Sequence, residues 1–171
     1  MLLAASAVSI AQQLGNNNFD EDFDDEEKPW QEIAVQLPAA PQEANLAEFY
    51  LSPNATMKAY VDLKSVSIGT DKVVRYTVVT KTNGGAVNVS YEGMRCETFE
   101  KKSYAFGHPD GKWARSRRDK WQQLRDVGAN RIDGALFKDY FCEGRIVADN
   151  GNVTSIVDRL RKQQAIDPVR R

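Results

Sequence analysis

The sequence is poor in the side chains that catalysis and metal binding use most. It has one histidine and two cysteines in 171 residues. A structural zinc site needs several Cys or His ligands at set spacings, and the two cysteines form no C-x-x-C. Neither a G-x-S-x-G nucleophile elbow nor a G-x-x-x-x-G-K phosphate loop occurs. No apolar run reaches roughly 18 residues, the length a bilayer-spanning helix needs. Internal repeats are absent. An excess of one charge sign is missing too: 23 Lys and Arg face 24 Asp and Glu, for a net charge of −1. A dedicated nucleic-acid binder would carry a large basic surplus. Length and an ordinary 42% hydrophobic content fit one globular domain with tails.

The near-zero net charge hides a division. Residues 1–50 hold ten acids and one base, Lys28, whereas residues 51–171 hold 22 bases and 14 acids. Such asymmetry marks a tail or an interaction surface. Residues 2–11, LLAASAVSIA, are small and apolar, and Ser9-Ile10-Ala11 fits the pattern before a signal-peptidase cut. Residues 1–11 are therefore expected to be a signal peptide or its remnant. No cysteine stands near that cut, so a lipid anchor is not expected. Residues 12–29 carry Asp20, Glu21, Asp22, Asp24, Asp25, Glu26 and Glu27 and read as an acidic linker, because like charges repel and resist burial. Folding back onto the basic domain is the other course open to it. The folded unit is expected over 30–165, with a tail over 166–171.

Cys96 and Cys142 lie 46 positions apart. An exported pair of this kind forms a disulfide.

The middle of the chain alternates as strands do. Residues 32–37 read as a strand, broken by Pro38 and Pro41. In residues 58–68 the apolar phase flips from Ala59, Val61 and Leu63 to Val66 and Ile68, which predicts a bulge near Lys64-Ser65. Residues 72–80 and 86–94 flank Asn83-Gly84-Gly85 and predict a hairpin. Its return strand places Val87, Val89 and Tyr91 on one face and Asn88, Ser90 and Glu92 on the other. Gly93 suits a bulge or a close backbone approach. A third strand over 98–106, a turn at His108-Pro109-Asp110-Gly111 and a short strand over 112–115 complete a meander. Ile132, Leu136 and Tyr140 form a helical stripe beside Phe137 and Phe141, with Gly144 as the helix stop. Thr154 is the expected N-cap of a second helix reaching Gln164, with Ile156, Val157 and Leu160 inward. The expected fold is thus α+β: an antiparallel meander, two carboxy-terminal helices and one disulfide.

Candidate chemistry is thin. His108, in a turn signal, lacks the nucleophile and orienting acid of a triad. Glu92, Glu97 and Glu100 could serve as paired carboxylates for glycoside cleavage, but nothing sets them apart from strand-face acids. No catalytic residue, metal site or cofactor is expected. The stretch from Arg95 to Arg125 stands out, with nine bases against four acids and two interleaved tryptophans. Within it Arg95, Trp113, Arg115, Arg117, Arg118, Lys120 and Trp121 form a candidate anionic-ligand surface.

Three strings in the chain, Val74-Arg75-Tyr76-Thr77-Val78-Val79, Asn88-Val89-Ser90-Tyr91-Glu92-Gly93-Met94-Arg95-Cys96 and Tyr104-Ala105-Phe106-Gly107, belong together. With Trp113, Trp121 and Asp139-Tyr140-Phe141-Cys142 they resemble the cryptic neisserial protein-like family of Gram-negative bacteria, over residues 30–164. The resemblance implies a periplasmic protein, often lipid-anchored, with no assigned activity, and it brings no catalytic residue. The functional expectation is an exported, non-enzymatic binding or interaction module of the cell envelope. Its partner would be an envelope protein or an anionic glycan. A hydrolase of envelope polymers, and a nucleic-acid binder using residues 112–125, are the alternatives.

Overall fold

The computed structural model describes residues 29–118, 120–124 and 131–166. The expected signal segment, most of the acidic linker and most of the tail lie outside these residues.

Antiparallel strands form a sheet in the order β1-β2-β3-β4-β5-β6: β1 Leu46–Phe49, β2 Met57–Ile68, β3 Val74–Thr82, β4 Val87–Arg95, β5 Glu100–Gly107 and β6 Trp113–Arg115. A further short strand, β7 Gln122–Gln123, pairs with the beginning of β5. The meander, its glycine turn and the disulfide stand as expected. The phase flip in β2 is a real irregularity, with register lost between Asp62 and Ser67. There the Ser65 hydroxyl donates to the Asp62 carbonyl at 2.7 Å and accepts from the Thr77 N–H at 2.7 Å. A side chain thus replaces the missing ladder bond. Gly93 has the close approach expected of it: a Cβ there would stand 2.9 Å from the Tyr104 ring.

Alternation gives the sheet two different faces. On one, Ala59, Val61, Val74, Tyr76, Val78 and Met94 join the main core. That core is closed by Leu136, Phe137, Tyr140, Phe141, Ile156 and Leu160 from the carboxy-terminal third. On the other face, Tyr91, Tyr104 and Ala105 are covered by Val35, Leu37 and Trp113.

Residues 32–37 correct the expected strand. The segment makes no ladder and crosses the second face as an extended arm. Its alternation is genuine, because Val35 and Leu37 do pack inward. Side chains anchor it instead of a neighbouring strand. The Trp30 indole donates to the Asp71 carbonyl at 3.0 Å, the Ile33 N–H to the Asp71 carboxylate at 3.0 Å, and the Trp113 indole to the Pro38 carbonyl at 2.8 Å.

The first expected helix is also different. Only α1, Arg131–Ala135, is α-helical; Leu136–Phe141 winds as a π-helical turn, and the chain is extended by Cys142. A wider π turn brings positions i, i+1, i+4 and i+5 to one side, and Leu136, Phe137, Tyr140 and Phe141 are all buried. Gly144 does not stop that helix. With φ 63° it turns the hairpin between β8 Cys142–Glu143 and β9 Ile146–Val147. The last helix, α2 Val153–Arg161, is capped by Asn152, not Thr154: the Asn152 side chain accepts from the Ser155 N–H at 3.2 Å. The Cys96–Cys142 bond, with Cα atoms 5.6 Å apart, ties the end of β4 to β8. No described helix is long and apolar enough to cross a membrane.

Candidate functional site

The two short strands β6 and β7 pair with different parts of β5, at Ala105–Gly107 and at Glu100–Lys101. The chain between them must arch away from the sheet edge. The Ser116 N–H extends the ladder to the Tyr104 carbonyl at 2.8 Å, and the Ser116 hydroxyl accepts from the Arg118 N–H at 3.1 Å. That turn throws Arg117 and Arg118 outward.

A cleft of about 620 Å³ opens beneath the arch, lined by Lys101, Ser103, Phe106, Arg115, Ser116, Arg117, Arg118, Lys120 and Gln122. Among the described residues, five of the nine that line it are cations and none is an acid. Lys101 is the exception in its pairing. It reaches Asp133 at 2.8 Å and Glu92 at 3.6 Å, both buried. Among the described residues, no carboxylate pairs with Arg115, Arg117, Arg118 or Lys120, all of them exposed. Like charges about 8 Å apart in water repel by about 0.5 kcal/mol per pair, so a polyanion relieves strain as well as adding attraction. Arginine forks match the paired oxygens of carboxylate, sulfate and phosphate groups. Phe106, 48% exposed, adds an apolar wall.

Four of the seven residues expected on an anionic-ligand surface therefore meet in one cleft. The other three do not join them. Trp113 lies under the arm, against Tyr91 at 6.2 Å between ring centroids. Arg95 sits on the arm face, its guanidinium 3.6 Å from the centre of the Trp30 ring and 5.7 Å from that of Trp121. Trp121 meets Trp30 edge to face at 5.8 Å. These three build the fold, and the stacked Arg95 also pairs with Glu100 at 3.2 Å.

Two buried carboxylates escaped sequence reasoning in their surroundings. Burial pushes the Asp71 carboxyl up, but Arg75 and the Ile33 and Val73 N–H groups outweigh it, so it is held below the usual range. Arg75 is 2.6 Å from Asp71 and 3.8 Å from Glu32. Glu32 in turn holds Lys102 at 2.8 Å and accepts from the Tyr104 hydroxyl at 2.6 Å. Glu92 shifts the other way. Burial raises its carboxyl, and the neighbouring Asp133 adds to that, against the pull of Lys101 and Ser90. The one signal in the sequence was Glu92 itself, an acid in a strand run otherwise fit for a core.

The carboxylates weighed for bond cleavage are scattered over the sheet. Glu92, Glu97 and Glu100 do not converge: Glu92 is inside the main core side, the Glu97 side chain is 74% exposed, and Glu100 faces Arg95. His108 is exposed in its turn, where the Gly111 N–H donates to its carbonyl at 2.9 Å. Among the described residues no group of three or more His, Cys, Asp or Glu side chains could hold a metal ion. A larger cleft, about 960 Å³, runs from Ile68 and Lys72 to Arg145 and Gly151. Its charges are mixed and mostly engaged, Asp71 with Arg75 and Arg95 with Glu100.

No curated protein matches this chain, and no solved structure does. The model of the CNP1-like family, which has no assigned function, matches residues 25–161, which takes in the sheet, the arched cleft, both cysteines and α2. The chain belongs to the CNP1-like family.

Proposed function

We propose that this protein is an exported, non-enzymatic module of the cell envelope that binds an anionic polymer in the cleft under the β6–β7 arch. The reading rests on one observation above all: Arg115, Arg117, Arg118 and Lys120 converge on a cleft whose lining, among the described residues, holds no acid. Unpaired cations crowded at one edge repel one another, and an anionic ligand would relieve that repulsion. Export is supported by the disulfide, which persists in oxidising compartments, and by the signal-like residues 1–11. The resemblance to the cryptic neisserial proteins points to the same compartment. An anionic glycan is the ligand class that such a compartment offers to an arginine cleft.

The test is calorimetric titration of a heparin-derived octasaccharide, a sulfated probe, into the full chain and into Arg117→Ala/Arg118→Ala/Lys120→Ala. The expected result is at least about tenfold weaker binding by the variant, with the slope of log affinity against log salt reduced by about one per cation removed. Equal affinity and equal slope would end the reading. Export is checked separately by the mass of the natively expressed chain. Trimming near Ala11 with thiols blocked until reduction supports it; free thiols contradict it.

A further inference from the structure

The larger cleft, about 960 Å³, lies where the turn after β2, the end of β4 and the β8–β9 hairpin meet. That size falls in the range of small-molecule sites. Its charge differs from that of the arch. Among the described residues, three cations and two acids line it: Lys72, Arg95 and Arg145 against Asp71 and Glu97. Asp71 is held by Arg75, and Arg95 by Glu97 and Glu100. No described carboxylate pairs Lys72 or Arg145, both of them exposed. Arg145 is already fixed in place. Its Nε donates to the Glu97 carbonyl at 3.0 Å, and its guanidinium lies 5.7 Å from the centre of the Phe99 ring. Those contacts leave its two terminal nitrogens unbonded among the described residues, side by side as the two oxygens of a carboxylate require. Lys72 stands at φ 60° in a turn that its own N–H closes onto the Gly69 carbonyl at 3.0 Å. Glycine would take that backbone at less cost, so stability does not account for a lysine there.

Apolar surface lies beside these charges. Ile146 is 58% exposed and Phe99 37%, and Ile68, Val147 and Cys96 line the same cleft. Exposed apolar surface in a concave, charged setting is a mark of ligand binding. Three cations against two acids leave one positive charge in the lining, enough for a single anion. Asp71 and Glu97 would repel a chain of anions, whereas the arch has no such acids among its described lining. We infer that the larger cleft binds a fatty-acid-like ligand, one carboxylate on an aliphatic chain. The carboxylate would meet Arg145 and Lys72, and the chain would lie along Ile68, Ile146 and Val147. This cleft shares no lining residue with the arch, so the two readings stand or fall separately.

The test maps backbone amides of the isotope-labelled full chain during titration with octanoate, and with octanol as its uncharged counterpart. Octanoate should move residues 69–72, 96–98 and 145–151 and leave residues 115–118 still. Octanol should bind at least about tenfold more weakly, since it lacks the charge that meets the two cations. Lys72→Gln/Arg145→Gln, changed at two exposed positions, should lose at least about tenfold in octanoate affinity and keep that for octanol. Movement centred on the arch, or none anywhere at millimolar octanoate, would overturn the inference. So would equal affinity of the parent for octanoate and octanol, a comparison that needs no variant. A variant that binds octanoate as tightly as the parent would overturn it as well.

Discussion

The two faces of the sheet are closed by different physics. The helix face is closed by apolar contact: Tyr76 meets Phe141 at 4.7 Å between ring centroids, and Phe49 meets Tyr140 at 6.2 Å. The arm face is closed by a chain with no regular structure, held by indole hydrogen bonds, stacked Arg95 and the Asp71–Arg75–Glu32 ion network. Apolar closure is written as periodicity and can be read locally. Polar closure joins residues 38 to 75 positions apart and leaves no local trace. Asp71 and Glu92 are both buried carboxylates, and they differ in what satisfies them. Asp71 has a guanidinium and two backbone N–H donors. Glu92 shares Lys101 with Asp133.

The arm face should break hardest at its anchor. Asp71→Ala strips Arg75 of its closest partner and frees two backbone donors. Removing one member of a buried pair costs about 3–5 kcal/mol, and urea melts should show that loss. On the helix side, Cys96→Ala/Cys142→Ala opens a loop of 46 positions. Chain entropy puts the loss at about 4 kcal/mol. The arm should stay docked in that variant, seen as unchanged fluorescence of Trp30 and Trp121. Gly93→Ala tests the seam between the two faces. The new Cβ would meet the Tyr104 ring, whose hydroxyl holds Glu32. Overpacking of this kind costs about 1–3 kcal/mol.

The faces should also answer pH with opposite signs. Asp71 is held below its ordinary value, so its contribution is present above an unfolded value of about 4 and lost as pH falls through the folded one. The stability gap between the parent and Asp71→Asn should therefore close in acid. Glu92 is raised, so its folded state is most favoured when protonated, and stability is lost as pH rises from about 4 through the raised value. Against Glu92→Gln the parent should thus lose ground as pH climbs. Urea melts from pH 3 to 8 read both slopes, and slopes of the same sign would contradict the assignment of the two sites.

Much of the fold was legible. The hairpin, the β2 bulge, the meander and the turn at His108 followed from alternation and turn residues, and the cysteine bond from the expectation of export. What escaped was long-range. The strand reading of residues 32–37 failed because alternation reports an inward face and not a hydrogen-bonded neighbour. The helix expected over 132–142 stands, but its change to wider turns at Leu136 was not visible, because 3.6-residue and wider turns place Leu136 and Tyr140 on one side alike. Thr154 and Asn152 are both capping residues, and two positions separate them. In the site, the crowding of Arg115, Arg117, Arg118 and Lys120 was visible in sequence. Strand geometry then decided the rest: Arg95 falls on the opposite face from Glu92, and both tryptophans turn toward the arm.

On the proposed function, polyanions land under the β6–β7 arch. The most direct test is to titrate the isotope-labelled full chain with the heparin-derived octasaccharide and map the backbone amides that move. Movement is expected at Lys101, Ser103, Phe106 and residues 115–122, with residues 69–72 and 145–151 still. Movement centred on those latter residues, or none anywhere at millimolar probe, would contradict it.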